Sequence, residues 1–236
     1  RSKTVQAMNQ KKIKSTLFEV FAIVFSITIS FYIQEKLNDF EKEQFKNETL
    51  AGVQNDLKTD KAFFLMTLDF LYNRVQFAQN IQNGKISQEG LNSLLLTWDF
   101  GGQNPNFKSL ISTGALESVE NKALSSELNY YYENSYGVLD RVGDMYVNLF
   151  YKFSDYMMLH YPIESMPEIS KEKKNDFYFA PYRFSPKELS SALNDFRFKN
   201  YVFDLKRIIY ANIKFYEEAI VRIEKLEELI KVELSL

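Results

Sequence analysis

The sequence predicts an all-α protein: a single N-terminal transmembrane helix that continues into an extracytoplasmic helical bundle. Three observations lead there. Residues 17–33 form an apolar run with one charge, Glu19. From Gln34 onward, apolar residues recur at threes and fours, the spacing of a helix face, with one slip around Phe45 to Ala51. Proline is absent before Pro105, and Gly52 is the sole glycine before Gly84, so helix breakers are scarce early in the chain.

The apolar run is 17 residues long, the short end of what crosses a hydrocarbon core of about 30 Å. Ser15, Thr16 and Gln34 serve as interfacial ends, placing the span at 16–34. The run is apolar on every side and rich in Phe, Tyr and Ile, unlike the one-sided stripe of a helix packed on a soluble core. A cleaved signal peptide is the other reading. No small-x-small site follows, Gln34-Glu35-Lys36-Leu37 is a poor cleavage sequence, and the helical pattern runs straight on, so an uncleaved anchor is expected. Arg1, Lys3, Lys11, Lys12 and Lys14 precede the run without an acid. Lys36, Lys42 and Lys46 follow it among Glu35, Asp39, Glu41, Glu43 and Glu48. The excess of basic residues on the short tail puts residues 1–15 in the cytoplasm and 35–236 across the membrane. In a double-membraned bacterium this is an inner-membrane protein with a periplasmic domain. The absence of cysteine fits an export compartment without disulfides and a reducing one alike. A net charge of −2 leaves no electrostatic footprint for nucleic acid.

Within the span, Ala22, Ser26 and Ser30 are spaced by four, which lets a second helix approach closely in lipid. Glu19, Ser26 and Ser30 share one side, with Ile23, Ile33 and Leu37 beside them. An ionisable group in lipid faces protein, water or the interface. Three readings of Glu19 stand side by side: an interfacial carboxylate near Lys12 or Lys14, part of a seam for self-association or partner docking, or the lining of a pore built from several copies.

The body reads as helices throughout. A long helix leaves the membrane, with Gly52 as a candidate kink, and ends at Asn83-Gly84, where a left-handed cap fits. Ser87 begins a shorter helix to about Trp98, and Gly101 to Pro105 is a loop. Residues 106–113 form a short helix ended by Gly114, with a further turn at 115–120. Asn121 or Ser125 caps a long helix to about His160, whose inner side carries Leu128, Tyr131, Tyr132, Leu139, Tyr146 and Phe153. Residues 162–186 hold four of the five prolines and read as an irregular excursion with an extended piece at 177–182. Ser185, Pro186 and Glu188 open a helix over about 187–197 as N-cap, N1 proline and capping-box acid. A last helix spans about 200–232, with Glu218–Arg222 and Glu227–Lys231 as expected i,i+4 pairs.

These residues resemble an uncharacterised single-pass inner-membrane family of Bacteroidota, a domain of unknown function. The segment Asn104 to Leu116, with Phe107, Leu110, Ser112-Thr113-Gly114 and Leu116, is similar to its central Phe-x-x-Leu-x-x-Ser-Gly-x-Leu signature. Glu19, Ser26 and Ser30 resemble the Glu, Gly and Ala of its membrane segment. The chain departs from the family at Gln34 to Asn38, where a tryptophan-bearing segment usually stands, and Ser26 and Ser30 are larger than the family's Gly and Ala. The resemblance implies an anchor and a helical extracytoplasmic domain, and no activity.

Chemistry-bearing patterns are sparse. His160 is the only histidine and there is no cysteine, so a His/Cys zinc site cannot come from one chain. No Gly-x-Ser-x-Gly elbow and no Walker loop occur. His160 reads as a helix-end cap or a partly buried ring. Phe107, Leu110, Ile111 and Gly114 are the local candidate: a structural clip that packs a short helix on the bundle, with a groove for a partner segment as the alternative. The expectation is a non-enzymatic membrane-anchored interaction or scaffold protein without cofactor. Its partners are the lipid bilayer and further copies of itself or other membrane proteins, not nucleic acid. A subunit of an oligomeric channel or ion-driven machine, with Glu19 facing the axis, is the other class.

Overall fold

The computed structural model describes residues 2–96, 100–165 and 182–235, with side chains from residue 19 onward. The described residues are helical, with no strand beyond an isolated antiparallel bridge, Ser165 to Arg183. Helix α1 (Ser2–Gln82) is one continuous rod of 81 residues, about 120 Å long at about 1.5 Å per residue. It runs unbroken through Gly52. Its end is set by Gly84 at φ +75°, with Lys85 N–H donating to the Asn80 carbonyl and Gly84 N–H to that of Ile81. Those two bonds satisfy carbonyls that the helix end would otherwise leave open.

Above the apolar run, α1 meets the body along two lines of residues. Leu50, Leu57, Phe64, Leu71 and Ala78 form one, and Val53, Asp60, Thr67, Arg74 and Ile81 the other, all of them buried. The alternation of threes and fours keeps both lines on one side. Helix α2 (Gln88–Leu94) is capped by the Ser87 hydroxyl, which accepts from Gly90 N–H. It stops short of the expected Trp98, which lies outside the described residues. Helix α3 (Pro105–Ser112) opens with proline at N1 and is turned at its end by Gly114, φ +73°. A single 3-10 turn (Ala115–Ser118) follows.

Asn121, not Ser125, caps α4 (Lys122–Tyr130), accepting from the N–H groups of Ala123 and Leu124. The expected unbroken helix to His160 is interrupted by a π-helical turn (Tyr131–Ser135) before α5 (Tyr136–His160). A π turn adds a residue to one turn and shifts the side-chain phase. Adjacent Tyr131 and Tyr132, and then Tyr136, are all buried on that side. Phe107 stacks on Tyr132 with ring centroids 4.2 Å apart.

The extended piece expected at 177–182 lies, apart from Tyr182, outside the described residues. The base of that excursion is held at both ends. Glu164 N–H donates to the Arg183 carbonyl and Arg183 N–H to that of Ser165. The Tyr182 carbonyl accepts from the Gln88 and Asn92 side chains of α2. Ser185 caps α6 (Pro186–Ala192) by accepting from Glu188 N–H. This helix is shorter than expected because Asp195 starts α7 (Phe196–Glu233), accepting from Arg197 and Phe198 N–H.

Pair contacts define the direction of each pass. Lys46 of α1 meets Glu233 of α7, whereas Gln79 and Gln82 meet Lys206, so α1 and α7 are antiparallel. Asp60 meets Tyr136 and Arg74 meets Tyr146, so α5 rises alongside α1. Residues 88–96 and 100–118 lie progressively lower along α1, from Phe77 at Gly90 to Asp56 at Asn106. In place of the expected Glu218–Arg222 and Glu227–Lys231 pairs, Glu218 pairs with Lys214 of its own helix at 3.8 Å, and Arg222 and Glu227 turn to other helices. Arg222 joins Glu127 of α4 at 2.7 Å, with Lys225 at 2.5 Å, and Glu227 faces Lys61 of α1 at 3.6 Å.

Candidate functional site

The N-terminal rod is the first candidate. It is the one helix among the described residues long and apolar enough to cross a membrane, and none of its most apolar window is buried against the body. Glu19, Ala22, Ser26 and Ser30 are exposed along it. The Ser26 hydroxyl donates to the Ala22 carbonyl and the Ser30 hydroxyl to that of Ser26, each at 2.8 Å. These bonds satisfy both serines inside their own helix, so the stripe presents no unmet hydroxyl to lipid or to another helix. Ser26, Ser30 and Gln34 line a shallow hollow of about 320 Å³ with Ile27 and Phe31.

The Phe107 to Gly114 segment divides. Phe107 and Leu110 are 2% and 0% exposed, so they pack in the core and cannot line a groove for a partner. Ile111 and Gly114 lie at the surface. The segment is built as a clip: Phe107 and Leu110 anchor α3, and Gly114 turns the chain. Gly114 does border a surface groove of about 590 Å³ at the lower end of the body, with Thr113, Glu117, Glu41, Lys42 and Phe45 around it.

Four polar nodes, three buried and one half-buried, join the passes, and residue patterning alone did not single them out. Glu233, 2% exposed, ties three segments together. Its carboxylate accepts from the N–H groups of Glu120 and Asn121, each at 2.9 Å, and pairs with Lys46 at 3.1 Å. Burial acts against its charge, but these donors outweigh it and hold the carboxyl below its usual range.

Asp60 is the second node. It accepts from Gln103 N–H at 2.9 Å and from the Tyr136 hydroxyl, with the Tyr131 hydroxyl at 3.5 Å. Burial dominates there and pushes its pKa up to about 6. Arg74, 0% exposed, is the third. It donates to Tyr146 and to the Leu96 carbonyl, lies 4.1 Å over the Phe70 ring, and has no carboxylate partner among the described residues. Asp195 is the fourth. It caps α7 and accepts from the Tyr156 hydroxyl and from that of Tyr161 at 2.6 Å. Burial works to raise its pKa, but the four donors bring it down to about 2.

Each node is a helix-to-helix tie whose donors and acceptors are turned on one another, apart from the buried Arg74 Nε, an arrangement that orients the passes. The signal in the sequence was the seven-residue spacing of Asp60, Thr67 and Arg74 within an otherwise apolar line.

His160 is exposed rather than partly buried, and its ring lies 4.4 Å from that of Tyr156. Among the described residues no group of three or more acidic or histidine side chains is placed to hold a metal ion. Compared with family models, curated proteins and solved structures, the chain matches none of them.

Proposed function

We propose that this chain is a single-pass membrane-anchored interaction protein, a scaffold or platform rather than an enzyme, working as an oligomer or within a larger membrane complex. Its N-terminal tail lies in the cytoplasm, residues 16–34 cross the inner membrane, and the helical bundle projects into the periplasm. The observation that carries this reading is the unburied apolar rod running without a break into a packed helical body. Such a surface needs lipid or protein around it. The body supports the platform role through polar groups committed to ties between helices.

Extraction and protease accessibility test the reading together. Intact protein is expected to stay with the membrane through alkaline carbonate and leave only with detergent. Protease outside the cytoplasmic membrane should remove the body and spare the tail. Intact protein in the aqueous fraction defeats the proposal. Glu19→Gln separates platform from channel: lost assembly supports the former, whereas lost ion flux from an assembled complex establishes the latter.

A further inference from the structure

The aqueous end of the rod carries apolar side chains that neither the body nor the lipid of the 16–34 span covers. Leu37 and Phe40 are 50% and 66% exposed, and Ile33 at the boundary is 60% exposed. They continue a pattern that begins inside the span. Ile23, Ser26, Ser30, Ile33, Leu37 and Phe40 follow one another by alternating steps of three and four. This is a period of about 3.5, the repeat of a seam between two supercoiled helices. At about 100° per residue the seam faces roughly away from Lys46, Leu50 and Val53, the side on which α1 meets its own body. The centre of the seam is therefore turned from the body; at its flank Glu41 borders the groove lined by Thr113, Gly114 and Glu117.

We propose that this face of α1 pairs in parallel with the same face of a second copy of the chain, over about residues 23–44. The inference rests on the membrane-anchored reading, because a common membrane orientation makes the copies parallel. Charge selects the occupant. With Leu37 and Phe40 at the a and d positions, Lys36 is a g position and Glu41 the e position five residues on. In a parallel pair, g of one helix faces that e of its partner, so Lys36 of each copy meets Glu41 of the other. Among the described residues Lys36 pairs within the chain with the exposed Asp39, at 3.8 Å. The next such positions are Glu43 and Glu48, of like charge, and Glu43 is turned to Lys46 at 2.6 Å. The seam ends there, where the body begins.

A chain without cysteine permits a clean scan of the full-length protein in native membranes. Single substitutions from Glu35→Cys to Gln44→Cys are oxidised and read as disulfide-linked dimer. The expected pattern is strong dimer at Leu37→Cys, Phe40→Cys and Gln44→Cys and several-fold less at Asp39→Cys and Lys42→Cys. In the Phe40→Cys chain, Lys36→Glu should lower the dimer yield several-fold, and adding Glu41→Lys should restore it. A flat scan, or cross-links to a different protein at these positions, overturns the pairing even if the chain remains membrane-bound. A failed charge rescue overturns the parallel register. The periodic pattern in a chain that leaves the membrane without detergent upholds the pairing and defeats the anchored reading instead.

Discussion

Gly52→Ala gives a result whose sign depends on one contact. In an exposed helix interior, alanine for glycine is worth about 1 kcal/mol of stability. Here the added Cβ would lie 2.5 Å from Asn106 Oδ1 and 2.6 Å from its Cγ, well inside contact distance. The Asn106 side chain would have to leave. It donates to Asp56 Oδ2 at 2.9 Å, and Asp56 is 8% exposed, so the carboxylate would lose a donor in a place water scarcely reaches. A hydrogen bond to a charged group contributes about 1.5–3 kcal/mol. Set against the helix gain, the substitution should destabilise the protein by about 0.5–2 kcal/mol. Urea unfolding of the full chain in mild detergent, followed by circular dichroism, measures it. In an Asn106→Ala background the contact is gone, and Gly52→Ala should then stabilise by about 1 kcal/mol. A stabilising Gly52→Ala in the otherwise unchanged chain would refute the close approach of α3 to α1.

Phe107→Ala removes a core ring stacked on Tyr132 and should cost about 3–5 kcal/mol in the same assay; a loss under about 1 kcal/mol, as at a solvent-facing groove, would remove the clip. Glu233→Gln leaves buried Lys46 with only Glu43 as a carboxylate and should lower stability by about 3 kcal/mol, read as a shift in urea midpoint; an unchanged midpoint would show that the tie between α1, α4 and α7 carries no stability. For Asp60, the folded pKa of about 6 stands above the ordinary 3.8. The folded state therefore binds more protons between these values, and stability falls as pH rises from about 4 to 6. Asp60→Asn should flatten that slope in thermal unfolding, and identical slopes in both proteins would show that Asp60 does not titrate this way. Asp195 works in the opposite sense. Held at about 2, it supports the fold above about pH 4 and loses that support as pH falls toward 2; Asp195→Asn should weaken this acid-side loss, and an unaltered acid transition would contradict it.

The long helices were legible because period and punctuation agree in them. α1 carries no breaker from the apolar run to Ile81, although its apolar face changes sides between Phe40 and Leu50, and it stops at a glycine with positive φ. Ser185 and Asn121 cap helices because their oxygens reach N–H groups a turn ahead. The breaks between helices were less legible. The π turn at Tyr131 to Ser135 carries no proline or glycine to mark it; it forms where Tyr131, Tyr132 and Tyr136 must all reach the same core. Of the candidate residues, Ile111 and Gly114 face solvent, and Phe107 and Leu110 are core. A single short helix does not show which of its sides another helix will cover.

The sequence by itself determined that the chain is helical and that the run at 17–33 is greasy on every side. Both properties are local, set by side-chain spacing and by the absence of breakers. Only the tertiary structure decided what the charges do. Arg222 and Glu227 reach other helices instead of their own neighbours, and Glu233, Asp60 and Arg74 go inside. A charge stays out of water only where fixed partners surround it, and here those partners come from segments far along the chain: residue 233 meets residues 46, 120 and 121.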